Sequence, residues 1–223
     1  MSNNTSNGLT RREFLIRSSV TGAGAVLGIA FGSNMLAGGE AKASVATQAY
    51  TPAIWFTITP DGKTVMHVVK AEMGQHIGTA FAQVIAEELE IKWGDVHVDQ
   101  PVESNETFGV YGLAYTVNSG SVTTEFDRIA RAGAAGRIAL IEAGAKLLNA
   151  KDSDCFAANG KVVERGSKRA VSYGEILQQV KIDRKFSYPD DFKNIKLKSP
   201  TKYEIIGKSV PALDIPAKTN GQA

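Results

Sequence analysis

Residues 54–58 and 63–69 are two apolar, β-rich runs on either side of a Pro-Asp-Gly turn at residues 60–62. The second run alternates in polarity, so its odd-numbered residues share one face and its even-numbered residues share the other. Two such runs around a turn of this composition predict a β-hairpin. A further short strand is predicted around Val96 and Val98, and it ends at Pro101.

Between these strands the apolar period changes to three and four residues from about Gly78, which predicts an amphipathic helix. Its apolar face comprises Ile77, Phe81, Val84, Ile85 and Leu89. We expect the acidic residues near its end, Glu87, Glu88 and Glu90, to face water. Residues 103–121 are rich in Gly, Ser, Thr and Asn and predict a long irregular loop, which compact domains rarely keep unless it has a function.

A second helix is predicted from about residue 123 to residue 148. It carries a stripe of small residues that would let another backbone approach closely: Ala132, Ala135, Gly136, Ala139 and Ala143. Gly160 and Gly166 then punctuate a predicted short hairpin. Ser172 and Glu175 have the spacing of a capping box and predict a helix to about Val180.

The last forty residues are rich in lysine and proline and are expected to be extended. The order of elements is therefore hairpin, helix, strand, long loop, helix, hairpin and helix, which predicts an α+β fold with two longer helices. We divide the chain into residues 1–43, residues 44–150 as part of a larger cofactor-binding domain, and residues 151–223 as a small hairpin-helix segment followed by an extended connector.

Residues 1–43 have the features of an export signal. Residues 10–15 read Thr-Arg-Arg-Glu-Phe-Leu, residues 20–37 are apolar, and Ala41, Lys42 and Ala43 form an A-x-A cleavage site. Paired arginines before Phe-Leu are the twin-arginine address, so we expect the mature protein in the periplasm. The glycines of the apolar stretch favour a cleaved signal, and the alternative is an uncleaved N-terminal anchor. Because twin-arginine export moves folded proteins, a cofactor acquired in the cytoplasm is expected.

The composition is that of a globular protein, with 43% hydrophobic and 22% charged residues. Removal of residues 1–43 takes away four basic and two acidic residues, which leaves 21 of each, and the mature chain gives no support to nucleic-acid binding. Cys155 is the single cysteine, so the chain by itself cannot form a disulfide, and we expect the thiol to be a small buried apolar group.

Two glycine- and hydroxyl-rich segments precede the predicted helices. Gly74 and Gln75 lie where a strand leads into a helix, where free amides attract an anion and a Gln side chain suits a ligand rich in heteroatoms. Thr116, Ser119 and Ser121 place three hydroxyls before the second helix and could cradle phosphate or pterin oxygens. The alternatives are a plain strand-to-helix turn in the first case and a simple helix cap in the second.

Together these segments resemble a known family. Residues 72–75 (Glu-Met-Gly-Gln), Thr79 and residues 86–89 (Ala-Glu-Glu-Leu) are similar to the molybdopterin-binding pattern of the xanthine dehydrogenase/aldehyde oxidase family. Residues 131–137 and 210–218 resemble the branch that contains the large (beta) subunit of isoquinoline 1-oxidoreductase and related periplasmic aldehyde dehydrogenases. The resemblance covers nearly all of the mature chain in matching order.

The resemblance implies a molybdenum hydroxylase of aldehydes or N-heterocycles that binds molybdopterin in the cytosine dinucleotide form. In that family the positions of Gly74, Gln75, Thr116, Ser119 and Ser121 contact the pterin dinucleotide. Members usually have glycine where this chain has His76, which could alter the cofactor contact or simply point to solvent. The implied partners are a small subunit with two [2Fe–2S] clusters and a cytochrome c.

The family's catalytic base is a glutamate in a Gly-Glu segment far downstream, and no Gly-Glu of this chain fits that position. We therefore assign no catalytic residue and expect a fragment, a truncated gene product or one half of a split subunit, with the remainder of the large subunit as a partner. The alternative is a non-catalytic exported binding or assembly domain. The histidines lack metal-ligand spacing, and Ser199 to Lys202 matches an S-x-x-K motif without its companions.

Overall fold

The structure, a computed structural model, describes residues 50–53, 55–101, 115–184, 186 and 190–222. The predicted export signal, residues 1–43, and most of the predicted loop, residues 102–114, lie outside the described residues. Strands and helices are mixed along the chain, and the predicted α+β class is confirmed. No helix among the described residues combines the length and the apolar character that crossing a membrane requires.

The predicted hairpin forms the centre of a four-stranded sheet. Its strands follow the order β1 (Tyr50–Ala53), β2 (Phe56–Ile58), β3 (Thr64–His67) and β4 (Val96–Asp99). The first three are antiparallel, and β4 joins β3 in parallel after a helical crossover. In β3 the even-numbered residues Thr64 and Met66 are fully buried, whereas Val65 and His67 are half-buried. The alternation was readable in the sequence, and the structure decides which face meets the core.

Two helices cover this sheet. The crossover helix α1 spans Ile77–Leu89, and α2 spans Ser121–Leu147. The small residues predicted to allow close approach are buried along α2: Ala132, Ala135, Gly136, Ala139 and Ala143. Small side chains at a helix interface let the two backbones approach, which explains how α1 and α2 can make the most extensive helix contact among the described elements.

The second half forms a smaller antiparallel sheet. Its strands are β5 (Cys155–Ala158), β6 (Lys161–Glu164) and β7 (Ala170–Ser172), and the short helix α3 (Tyr173–Gln179) follows. The predicted hairpin is therefore extended by a third strand. The capping box between Ser172 and Glu175 is confirmed in both directions, and Cys155 is buried as predicted, with 5% of its surface exposed.

The C-terminal segment is less extended than its composition predicts. A single 3₁₀ turn at Pro200–Lys202 and the short helix α4 (Ile215–Asn220) interrupt it. Both begin with a proline in the first turn, where the missing N–H costs nothing because that group has no partner within the helix. The prolines of this segment predict an extended chain, but Pro200 and Pro216 lie in the first turns of helical elements.

Glu87 and Glu88 contradict the prediction that the acidic end of α1 faces water, because each is only 1% exposed. The carboxylate of Glu87 accepts from the ammonium of Lys198 at 2.6 Å. It also accepts from three consecutive backbone N–H groups, of residues 204, 205 and 206, at 2.9, 2.7 and 3.0 Å. Glu88 accepts from the backbone N–H of Lys198 at 3.0 Å and from the guanidinium of Arg137 at 3.2 Å. The C-terminal segment covers the polar face of the helix, which the helical period alone could not reveal.

The pKa shifts of the two carboxyls run in opposite directions. Burial alone raises the pKa of Glu87, but Lys198 and the backbone amides of residues 204–206 together lower it below its ordinary value. Burial raises the pKa of Glu88, and Arg137 only partly offsets that effect. Glu87 is therefore held as a carboxylate, whereas Glu88 is the more readily protonated of the two.

Thr64 gives a stability prediction from the sheet. Its hydroxyl Oγ1 is buried and has no hydrogen-bond partner among the described residues. A buried hydroxyl without a partner costs free energy, so we expect Thr64→Val to raise the free energy of unfolding by about 1 kcal/mol. Urea unfolding followed by circular dichroism measures this change. A loss of stability in the variant would show that the hydroxyl has a partner in solution.

Candidate cofactor site

The two predicted cofactor segments meet at one backbone carbonyl. The side-chain amide of Gln75 donates to the carbonyl oxygen of Ala71 at 2.8 Å, and the hydroxyl of Thr116 donates to the same oxygen at 2.9 Å. The side-chain oxygen Oε1 of Gln75 in turn accepts from the backbone N–H of Met73 at 2.6 Å. The strand-to-helix turn and the segment before α2 are therefore joined side by side.

The N-terminus of α1 is already filled by a carboxylate from its own turn. Oε1 of Glu72 lies 2.8 Å from the backbone nitrogen of Gly74 and 3.0 Å from that of His76. Its Oε2 lies 2.9 Å from the backbone nitrogen of Ile77. Burial raises the pKa of Glu72, but these amide donors lower it further, so the net shift is downward. Glu72 therefore occupies the amides of Gly74, His76 and Ile77, so a carboxylate of the chain itself takes part of the position that was predicted to attract phosphate.

The turn at this helix end has a left-handed backbone at two positions. Gly74 has a φ of 98°, and a Cβ added there would meet no heavy atom within 4 Å. His76, directly before the helix, has a φ of 58°. Left-handed backbone costs about 1 kcal/mol or more for a residue with a side chain, which gives a physical reason for the glycine that the resembled family usually has at the position of His76. Gly74 leaves its backbone open to a ligand.

The side chain of His76 binds the C-terminal segment. Its Nδ1 lies 3.0 Å from Oδ1 of Asp214, and Oδ2 of Asp214 accepts from the ammonium of Lys218 at 2.5 Å. The bond from Lys218 is the main reason that the pKa of Asp214 is lowered. The sequence left two alternatives for His76, cofactor contact or solvent; the structure adds the bond to Asp214, and 38% of the His76 side chain remains exposed.

Ligand atoms of Glu72, His76 and Asp214 lie within 4.8 Å of one another. Every carboxylate oxygen in this group already accepts a hydrogen bond, from a backbone amide, the imidazole or Lys218. The group is thus satisfied by protein donors, and we do not assign a metal to it.

The N-terminus of α2 is open, in contrast to that of α1. Asn118 and Ser119 have φ values of 53° and 52°, and the helix begins at Ser121 after Gly120. No side chain of the described residues caps this end, so the alternative in which a hydroxyl merely caps the helix is not realised. The first-turn amides of α2 therefore have no side-chain partner among the described residues and are available to an anion.

The exposed large apolar side chains of the described residues fall in the segments that build this site. They are Met73, Tyr115, Val117, Val122 and Ile215, with exposed fractions between 39% and 69%. Tyr115 also stacks against the ammonium of Lys70, which lies 5.5 Å from its ring centre. Met73 and Val117 lie within or beside the two predicted cofactor segments, whereas Ile215 begins α4.

An open cavity of about 310 Å³ lies elsewhere, between α2 and the segment that follows α3. Its walls include Ile138, Phe186 and Ile195, and none of the five predicted cofactor residues lines it. The cavity is also lined by the polar side chains of Arg184, Asp191 and Asn194, and it is separate from the two predicted cofactor segments.

A comparison with known protein families shows which family this chain belongs to. The model of the molybdopterin cofactor-binding domain matches residues 12–213, which is most of the chain. The chain belongs to the molybdopterin cofactor-binding domain family.

Curated relatives in this family are longer. The chain is 38% identical over 217 residues to the membrane-bound aldehyde dehydrogenase [pyrroloquinoline-quinone] of Gluconacetobacter polyoxogenes, and the match covers 96% of this chain and 27% of the relative. It is 30% identical over 246 residues to isoquinoline 1-oxidoreductase subunit beta of Brevundimonas diminuta, covering 96% of this chain and 31% of the relative. The first name specifies a quinone cofactor, whereas the family model specifies molybdopterin.

Among solved structures, quinoline 2-oxidoreductase from Pseudomonas putida 86 is similar at 26% sequence identity. The match covers 55% of this chain and 15% of that chain, with a TM-score of 0.45.

Two side chains of the family segments have roles that the sequence analysis missed. Glu72 entered the sequence analysis only as part of a motif. In the structure its carboxylate accepts hydrogen bonds from the backbone N–H groups of Gly74, His76 and Ile77. Asp214 lies in the second family segment and meets the first one through His76. The signal available for both residues was that they occur in segments shared with the family. For Asp214 there was no other signal, since no local period indicates a contact across 138 residues.

Proposed function

We propose that this chain binds a molybdopterin cofactor, in the cytosine dinucleotide form and with molybdenum, through Gly74, Gln75, Thr116, Ser119 and Ser121. The single observation that supports the site is the shared carbonyl of Ala71, which holds Gln75 and Thr116 together. Family membership supplies the cofactor class.

Each of the two helix ends would bind a different part of the cofactor. In the part of the chain that the structure describes, the first turn of α2 has no side-chain cap, and the hydroxyls of Ser119 and Ser121 lie beside it in the sequence, which suits a phosphate. The turn at Gly74 and Gln75 carries the negative charge of Glu72, so it suits the neutral pterin edge rather than a phosphate. The open backbone at Gly74 lets a ring system approach without a Cβ in the way.

When bound, such a cofactor supplies hydroxylation of aldehydes or N-heterocycles with oxygen from water. This chain would bind and orient the cofactor, and we assign no proton-transferring residue to it. The base, in a Gly-Glu segment, would come from the remainder of the large subunit. A small subunit with [2Fe–2S] clusters and a cytochrome c would carry the electrons, and the twin-arginine signal at residues 1–43 would place the assembly in the periplasm.

The rival function is an exported binding or assembly domain that keeps the fold without the cofactor. The exposed apolar side chains around Met73 and Val117 suit such a role as well as they suit a cofactor face. The two functions differ in one measurable property, the presence of bound pterin.

Purification of the full chain, with any subunits that accompany it, from a cell that makes molybdopterin tests the proposal. We expect molybdenum by elemental analysis and a pterin by fluorescence after oxidation, both in fixed ratio to protein. Released cytidine nucleotide would identify the dinucleotide form. Bound pyrroloquinoline quinone without pterin would overturn the proposal, and absence of both cofactors would favour the assembly domain.

Removal of a hydroxyl beside α2 should weaken cofactor retention. A hydrogen bond to a charged group contributes about 1.5–3 kcal/mol, so we expect Ser119→Ala or Ser121→Ala to lower cofactor affinity by about ten- to a hundredfold. The pterin-to-protein ratio after dialysis measures the effect. Ser153→Ala removes a hydroxyl from an exposed turn outside the site and serves as the matched control. Equal retention in all three variants would exclude these hydroxyls from the site.

A further inference from the structure

The two family segments touch each other at the first turn of α1. The backbone N–H of Leu213 donates to the hydroxyl of Thr79 at 3.0 Å, and one residue later Asp214 bonds to His76. Thr79 is 9% exposed, so this contact is largely shielded from water. The segment before α4 is thus fixed against the turn that carries Gly74 and Gln75.

His76 needs such a contact more than an ordinary residue does. Its left-handed backbone is unfavourable for a residue with a side chain, and no capping bond from its own side chain compensates within the helix. The bond to Asp214 is the side-chain interaction that helps to hold His76 in this conformation, in addition to the bond from its backbone N–H to Glu72. Because His76 and Gly74 share the carboxylate of Glu72, their backbones are set together.

The charges around His76 favour this arrangement. Asp214 lies between the imidazole and the ammonium of Lys218, and the carboxylate of Glu72 is held by three backbone amides. Among the described residues, Asp214 has no hydrogen bond to Gly74 or Gln75. The hydrogen-bonded route from Asp214 to the cofactor turn therefore runs through His76, while the charge of Asp214 also acts directly on the neighbouring carboxylate of Glu72.

We propose that Asp214 is a positioning residue for the cofactor site, acting through His76 to hold the turn of Gly74 and Gln75 in its binding conformation. This inference rests on the proposed function for its consequence, which is cofactor retention. The contact itself is independent of that function.

Amide hydrogen exchange on the full chain tests the contact, and pterin retention tests its consequence. We expect Asp214→Ala to speed exchange at residues 74–77 about fivefold, the effect of one lost hydrogen bond, and to lower pterin retention by a similar factor. Asp214→Asn keeps an acceptor for the imidazole and should restore most of both properties. Asp190→Ala breaks an exposed ion pair with Lys193 and is the matched control, with no change at residues 74–77.

A double-mutant cycle shows whether Asp214 acts through His76. In a His76→Gly background, which removes both the imidazole and the need to hold a left-handed side-chain residue, Asp214→Ala should have no further effect on exchange at residues 74–77. An equal effect in both backgrounds, or unchanged exchange in Asp214→Ala, would overturn the inference. Pterin retention by the unaltered chain tests the proposed function alone, so the two failures are distinguishable.

Discussion

We expect Glu87→Gln to lower the free energy of unfolding by about 3 kcal/mol, the low end of the cost of breaking a buried ion pair. Glutamine has nearly the same volume as glutamate, but it has one acceptor oxygen where the carboxylate has two. In place of the second carboxylate oxygen, the glutamine side chain has an N–H₂ group. This donor would face other donors, namely backbone N–H groups of residues 204–206 and the ammonium of Lys198. Lys198 keeps its second partner, Glu90, at 3.2 Å, which limits the loss.

Urea unfolding at pH 7 measures this loss, and Glu142→Gln is the matched control. Glu142 is partly exposed on α2 and forms one ion pair, with Arg184. Such a pair contributes about 0–1 kcal/mol, so the control should change little. Similar losses in the two variants would contradict the role assigned to Glu87.

The effect of Glu87 should depend on pH with a definite sign. Because its folded pKa is lowered, Glu87 stabilises the fold above its ordinary pKa of 4.5, and this contribution is lost as the pH falls further. The difference between the unaltered chain and Glu87→Gln should therefore shrink below pH 4.5. Glu88 has a raised folded pKa, so its contribution is greatest below 4.5 and declines as the pH rises. Accordingly, Glu88→Gln should cost less than Glu87→Gln at pH 7.

The second large effect is expected at the contact between α2 and the small sheet. A Cβ added at Gly144 would lie 2.7 Å from Cβ of Val162 and within 3 Å of both its methyl groups. Val162 is fully buried, so the strand or the helix must shift. Overpacking of this kind typically costs about 1–3 kcal/mol, and alanine recovers about 1 kcal/mol of helix propensity. Because three atoms of Val162 lie within 3 Å of the added Cβ, we take the upper end of the overpacking cost, and after the gain in helix propensity we expect Gly144→Ala to lower the free energy of unfolding by about 2 kcal/mol.

Val162→Ala in the same chain separates steric overlap from other causes. The smaller side chain makes room for the added methyl group, so the double variant should be more stable than the sum of the two single losses predicts. Gly94→Ala is the control, because a Cβ there meets no heavy atom within 4 Å. Additive losses at residues 144 and 162 would mean that the two side chains do not collide.

The local sequence patterns predicted those helices and strands that depend on interactions between residues close together in the sequence. The capping box at Ser172 needs only residues three apart, and the helix α1 follows from its own apolar period. The segment resemblance also pointed to Gln75 and Thr116 as neighbours, and the structure joins them at Ala71. The sequence pattern did not indicate that Glu72 would take the amides of His76 and Ile77, which the same segment was predicted to offer to a phosphate.

The sequence by itself determined the α+β class, the hairpin, the two long helices and the two segments of the candidate site, because hydrophobic period, turn residues and caps act over a few residues. Only the tertiary structure decided that Glu87 and Glu88 are buried, that the open helix end belongs to α2, and that Asp214 reaches His76. Each of these depends on which distant segment covers a given face. A local pattern predicts that a polar side chain is exposed to solvent. It cannot indicate a partner more than a hundred residues away that supplies the hydrogen bonds of that side chain.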